Sequence, residues 1–206
     1  MNVQVTLPEQ ALPARLSLNP RLRITDDEEY WEFCMANPDL RLERTAQGEI
    51  LIVPPVGGEG DYRNTEVSIQ LGVWSKQDGR GKSFGPSIEF ILPSGAALSP
   101  DAAWVSNRRL AKLTKEQRRK FLRLVPEFIV EVMSPSDRLK DAKTKMAEWI
   151  ANGVQLGWLI DGDRETVYVY RPGKTEPEKR TRMAKLAGEG PVAGFELELT
   201  EIWEGL

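Results

Sequence analysis

Two carboxylates stand where a chain of this composition could do chemistry. Asp101 follows Ser99-Pro100 and opens a predicted strand over 102–105, and Glu131 lies near the end of the apolar, β-branched run 128–133. A mixed sheet can bring the start of one strand and the end of another to a common edge of the core. Two like charges about 4 Å apart repel by roughly 4 kcal/mol at an effective dielectric near 20, so such a pair needs a proton or a cation between its members. Mg²⁺, or Mn²⁺ in its place, accepts carboxylate oxygens together with a backbone carbonyl and waters. The carbonyl of Val132, next in the chain, is the natural third donor. In phosphodiester hydrolysis such a metal polarises a phosphoryl oxygen and lowers the pKa of bound water, while a nearby cation offsets the charge developing in the transition state. A plainer reading stands beside this one for Asp101, because Pro-Asp is a common turn pair. Glu131 is harder to dismiss, since a carboxylate inside an apolar run is costly to bury without a partner.

The composition narrows the chemistry in the same direction. There is no histidine and a single cysteine, Cys34, which excludes intrachain disulfides, the usual zinc sites and every histidine-based triad. Catalysis, if present, must use carboxylates, lysines, hydroxyls or a hard oxygen-ligated cation. With 206 residues, 40% of them hydrophobic, the chain suits one compact domain, expected over 25–206, preceded by an arm over 1–24 that contains Pro8, Pro13 and Pro20. That arm could pack on a partner subunit, so a homodimer or higher homo-oligomer is expected. No apolar stretch approaches a membrane span and residues 1–18 lack a signal-peptide pattern, so a cytoplasmic protein is expected. The net charge of -3 argues against a uniformly basic nucleic-acid coat. The segment 107–124 is nevertheless strongly basic, and Arg108, Arg109 and Lys112 are its candidates for phosphate contact. A solvated helix face is the plainer reading of that segment.

The elements that must position these groups follow from periodicity and punctuation. Thr25 and Glu28 form a capping-box pattern for a helix ending near Asn37-Pro38. Runs over 41–45 and 49–53 predict a hairpin, and the Pro54-Pro55-Val56-Gly57-Gly58 run breaks regular structure. Val67, Leu71 and Trp74 predict a helix over 64–74. Strands are predicted over 88–92, 102–105, 128–133, 155–160, 166–170 and 195–199, and Thr114 with Gln117 marks a short helix between the second and third. A second strong helix is predicted from 136 to 152, closed by Gly153, with Ala142, Met146, Trp149 and Ile150 on its inward face. Ser134-Pro135-Ser136-Asp137 is expected to cap it, and Trp149 and Trp158 are expected in the core. The order signals an α/β or α+β fold, a mixed sheet with helices against it.

Taken together, Ser99-Pro100-Asp101, Pro126 through Asp137, Lys145 and Trp149, Gly153-Val154 and Gly157 through Asp161 resemble one bacterial family, Uma-two, whose members are restriction-endonuclease-like proteins of the PD-(D/E)XK superfamily. The resemblance spans roughly 25–172. It implies a restriction-endonuclease-like mixed β-sheet flanked by helices and a Mg²⁺-dependent endonuclease acting on nucleic acid, DNA before RNA. The sequence departs from the superfamily pattern at Met133, where a lysine is expected. The resemblance supplies Lys145 as the substitute, 14 residues beyond Glu131 and near the inward edge of the second helix. It also implies that Glu43, on the first hairpin, completes the acidic site, although outward exposure or a cross-strand pair would account for Glu43 equally well. Lys145 could instead snorkel beside Trp149 or pair with Asp141. Two non-enzymatic readings remain: a nucleic-acid-binding module that keeps the fold, and a structural oligomer.

Overall fold

The computed structural model describes residues 23–206, so the expected arm lies outside the described residues except for its last two positions. Helix α1 (Asp27–Ala36) starts one residue later than the capping-box pattern suggests, because Asp26 rather than Thr25 is the cap. One Asp26 carboxylate oxygen accepts the amides of both Glu28 and Glu29 at 2.9 Å, satisfying two of the donors a helix start leaves open. Strands β1 (Leu42–Arg44) and β2 (Ile50–Ile52) form the expected antiparallel hairpin. Helix α2 (Gly58–Asp78) begins well before the predicted 64–74: Gly57 caps it, so the proline-glycine run delivers the chain into the helix. It ends on Gly79, whose left-handed backbone (φ 71°) lets its amide reach the Ser75 carbonyl.

Four short strands follow: β3 (Gly81–Phe84), β4 (Phe90–Ile91), β5 (Ala97–Leu98) and β6 (Ala102–Ser106). Helix α3 (Asn107–Leu110) leads into a connection in which Thr114 and Gln117 cap each other reciprocally, as their spacing predicts. Then come β7 (Phe128–Val132), α4 (Leu139–Ala151), β8 (Leu156–Asp161) and β9 (Thr166–Tyr170). The chain closes with β10 (Glu178–Thr181), β11 (Lys185–Ala187), β12 (Glu196–Glu198) and α5 (Thr200–Glu204). Ser134-Pro135-Ser136-Asp137 does not cap α4 as expected. The Asp137 carboxylate instead accepts the Ser134 amide and closes a turn, and Arg138 stands at the helix start without a side-chain cap.

The fold is a mixed α+β arrangement built on a six-stranded sheet of order β10-β9-β8-β7-β6-β3. Its pairs are antiparallel except β7 with β8, and the crossover that parallel neighbours require is α4. Helices cover both faces, which is why β7 is buried along its whole length. Phe128, Val130 and Val132 face Val67 and Leu71 of α2, while Ile129 and Met133 face Met146 and Trp149 of α4. Burial of a side chain such as Met146 contributes about 1.5–3 kcal/mol. Gly157 of β8 lets α4 approach, since a Cβ there would stand 2.7 Å from the Met146 methyl. A smaller sheet, β2-β1-β5-β4, flanks the start of β6 and carries Glu43. Among the described residues no helix is long and apolar enough to cross a membrane.

Candidate active site

The pairing of β6 with β7 sets the site. Ala102 lies opposite Val130, so extending the register by one residue brings Asp101 across from Glu131. Directly opposed residues share a face, here the one covered by α4. The Val132 amide donates to Asp101 Oδ2 at 2.8 Å. The N–H and C=O of one strand residue point to the same edge, so the Val132 carbonyl is also directed toward the β6 side. Asp101 Oδ1 accepts from Asn64 Nδ2 of α2 at 3.0 Å, so the carboxylate is held from two sides.

Lys145 enters from α4. Its ammonium lies 3.0 Å from Glu43 Oε1 and 3.1 Å from Glu131 Oε1, and donates to the Ser99 carbonyl at 2.9 Å. Glu43 Oε1 also accepts the Ser99 amide at 3.0 Å, which ties β1 to the turn before Asp101. Trp149, four residues after Lys145 and so on the same helix face, donates Nε1 to Glu131 Oε1 at 2.8 Å. The four residues Asp101, Glu131, Lys145 and Glu43 therefore gather at one sheet end, although they are far apart in the chain. Met133, in the superfamily's lysine position, points into the core beneath α4.

The electrostatics show one ammonium shared among carboxylates. Burial pushes Glu131 up to about 7; Asp101 and Glu43 push in the same direction, while Lys145 and the Trp149 hydrogen bond oppose it. Burial likewise raises Asp101, against the Val132 amide and the Lys145 charge. For Lys145, burial disfavours the ammonium, but Glu131, Glu43 and Asp101 outweigh it and hold the proton more firmly than usual. Among the described residues no group of three or more Asp, Glu, Cys or His side chains forms a ready-made metal cage. What is present is a two-carboxylate edge with a backbone carbonyl beside it and a surplus of negative charge. That donor set suits a hard, oxygen-ligated divalent cation.

The basic residues singled out for phosphate contact are not brought to this site. Arg108, Arg109 and Lys112 follow β6 at its other end, about 17 Å from Asp101 by strand rise. Arg109 is engaged by Glu127 at 3.0 Å and by the Val125 carbonyl, whereas Arg108 and Lys112 are exposed. Further along the same segment, Lys120 pairs with Glu28 and Arg123 with Asp27, so these two charges fasten α1 to the body. Lys143 lies 4.9 Å over the Tyr168 ring, away from the carboxylates.

Three residues of the site escaped the sequence reading. Trp149 is core, as expected, but also a hydrogen-bond donor to Glu131. Asn64 stands three residues before Val67 and seven before Leu71, a polar group on the apolar stripe of α2, and that placement was the available signal. Arg41 precedes Glu43 by two positions and so shares its side of an extended strand; its charge is felt at Asp101.

A family model named Uma2, "Putative restriction endonuclease", matches residues 27–200. No curated protein matches the chain. Among solved structures, the crystal structure of a "putative nuclease belonging to DUF820" from Anabaena variabilis superposes with a TM-score of 0.68 at 20% identity, covering 81% of this chain and 91% of that one. At that identity the likeness establishes the fold.

Proposed function

The chain belongs to the Uma2 family of restriction-endonuclease-like proteins, and from that membership and the site's geometry we propose that it is a metal-dependent nuclease that hydrolyses phosphodiester bonds of nucleic acid, DNA in the first instance. The observation that carries this reading is the convergence of Glu131 and Glu43 on the ammonium of Lys145 at the end of β7, with Asp101 close enough to feel its charge. Asp101 and Glu131, with the Val132 carbonyl, would hold Mg²⁺ or Mn²⁺. When bound, such a cation supplies Lewis-acid polarisation of a phosphoryl oxygen and favours deprotonation of the attacking water.

The chain's own groups have separable roles. Trp149 Nε1 fixes the rotamer of Glu131 through Oε1, and Lys145 reaches both oxygens of that carboxylate, Oε1 at 3.1 Å and Oε2 at 3.3 Å. Asn64 and the Val132 amide hold Asp101 on the β6 side of the site. Lys145 keeps its proton through the neutral range and places positive charge where the phosphorane-like charge develops. Glu43 holds Lys145 at its station through the same oxygen that accepts the Ser99 amide.

The test is incubation of the purified protein with supercoiled plasmid, linear duplex and single strands in Mg²⁺ or Mn²⁺, alongside Asp101→Asn and Glu131→Gln, with metal uptake followed by calorimetry. Cleavage lost by at least 100-fold in both variants, together with weakened metal uptake, is expected. Intact substrates under every condition and no heat of metal binding would refute the enzymatic reading. A second reading, a nucleic-acid-binding module without catalysis, is favoured by one observation: the three N–H groups of Lys145 are already engaged by Glu43, Ser99 and Glu131. Salt-sensitive binding without divalent ions and without cleavage would select it.

A further inference from the structure

On the α2 side of Asp101 lies a cleft of about 300 Å³ between α2 and the turn at Gly85-Pro86, lined by Asn64, Thr65, Ser68 and Ile69 among others. Two polar atoms of its lining residues have no hydrogen-bond partner among the described residues and are closed to solvent: Asn64 Oδ1, on a residue 93% buried, and Ser68 Oγ. Asn64 Nδ2 is fixed by Asp101, so its carbonyl end is oriented by the same contact that holds the carboxylate. Arg41 does not line the cleft but is bonded to its Pro86 wall. Its guanidinium donates to the Pro86 carbonyl at 3.0 Å and, among the described residues, makes no ion pair, which leaves most of its five N–H donors unused. Its charge nonetheless reaches Asp101 and Glu89.

We propose that Arg41 and the Asn64-Ser68 cleft form a nucleotide subsite beside the carboxylates, in which Arg41 takes a phosphodiester oxygen pair and the cleft receives the adjoining nucleoside. The proposal rests on the nuclease reading for its place in a reaction, but its ligand chemistry stands on the subsite itself. A half-buried, positioned guanidinium with a free fork is the group that recognises phosphate bidentately. An apolar cleft with a few unpaired hydrogen-bonding groups is how a nucleoside is held, by ring contact with Ile69 and Pro86 and by a polar contact made when the Ser68 hydroxyl turns out from the wall. The exposed carboxylate of Asp61 also borders the cleft, so the phosphate belongs at the Arg41 end and the uncharged nucleoside at the α2 end. This assigns the site's substrate cation to Arg41, in place of the basic segment at the far end of β6.

The experiment is titration of the full chain, without divalent ions, with the 5′-phosphorylated dinucleotide pTpT, read from the arginine Nε–H resonances. The Arg41 signal is assigned by its absence in Arg41→Lys. The Arg41 resonance is expected to move saturably while those of Arg108, Arg118 and Arg119 stay put. Arg41→Gln should weaken binding at least tenfold, Arg41→Lys by less, and Ser68→Ala by a few-fold. Circular dichroism and the unaffected arginine signals report that each variant folds. No saturable binding of pTpT, or binding that leaves Arg41 unmoved, overturns the subsite. Plasmid cleavage separates the two proposals. Cleavage that requires Asp101 and is unchanged in Arg41→Gln overturns the subsite alone, whereas pTpT binding at Arg41 without cleavage of any substrate supports the subsite and refutes the enzyme.

Discussion

Replacing Lys145 by methionine keeps most of the side-chain volume and removes the one cation that, among the described residues, pairs with both Glu43 and Glu131. In the native site each of those carboxylates lies about 3 Å from the ammonium. At an effective dielectric near 20 each contact corresponds to roughly 5 kcal/mol of gross Coulomb attraction. Desolvation offsets much of that, and removing one partner of a buried pair costs about 3–5 kcal/mol net. Lys145 is 28% exposed, so the lower end of that range applies. The cost should depend on pH. Glu131 already takes up its proton near pH 7 rather than near its ordinary 4.5. A carboxylate whose folded pKa is raised stabilises the fold most at low pH, and that stability is lost as pH rises from the unfolded value through the folded one. Without Lys145 the folded value climbs further, so the variant goes on losing stability above pH 7 after the native protein has levelled off. Urea denaturation in EDTA should therefore give a destabilisation of about 3 kcal/mol at pH 8 and clearly less at pH 5. Added Mg²⁺ should recover part of the loss at pH 8. Equal stability of variant and native protein at pH 8, or a loss that does not change with pH, would refute the description of Lys145 as the shared counter-charge of the site.

Metal uptake should follow the Glu131 proton: apparent Mg²⁺ affinity is expected to rise by up to about tenfold per pH unit below pH 7 and to level off above it, as calorimetry in two buffers of different ionisation heat will show through the released proton. Trp149→Phe removes the Nε1 hydrogen bond from Glu131 while keeping an aromatic in the core. It should cost about 1–3 kcal/mol and move the midpoint of that pH dependence upward, whereas an unmoved midpoint would leave Trp149 a packing residue only. Gly81→Ala tests the fold rather than the site. A Cβ there would stand 2.4 Å from the Trp104 ring and 2.5 Å from the Val105 carbonyl, so a loss of about 1–3 kcal/mol is expected, seen as a melting temperature lower by about 2–4 °C for each kcal/mol.

Residue types and local spacing determined a good deal of this protein. The absence of histidine and the single cysteine left carboxylates and lysine as the means of chemistry, and the apolar runs of β7, β8 and β9 and the stripe of α4 were visible because each follows a local period. Placing Glu131 in a buried strand and Lys145 on an inward helix edge needed only those periods together with the family resemblance. Other features were hidden for physical reasons. Strands β3 and β5 are too short to carry a pattern and exist because their neighbours pair with them. The start of α2 was obscured by prolines and glycines that lead into the helix as readily as they break one. The basic segment offered phosphate candidates beside the plainer reading of a solvated face, because sequence shows the charges and not the acidic side chains of α1 that answer Lys120 and Arg123. The meeting of Glu43, Asn64, Asp101, Glu131 and Lys145 was decided by tertiary structure alone. It depends on strand order and on the crossover through α4, which bring together residues up to 102 positions apart, and no local period encodes such a distance.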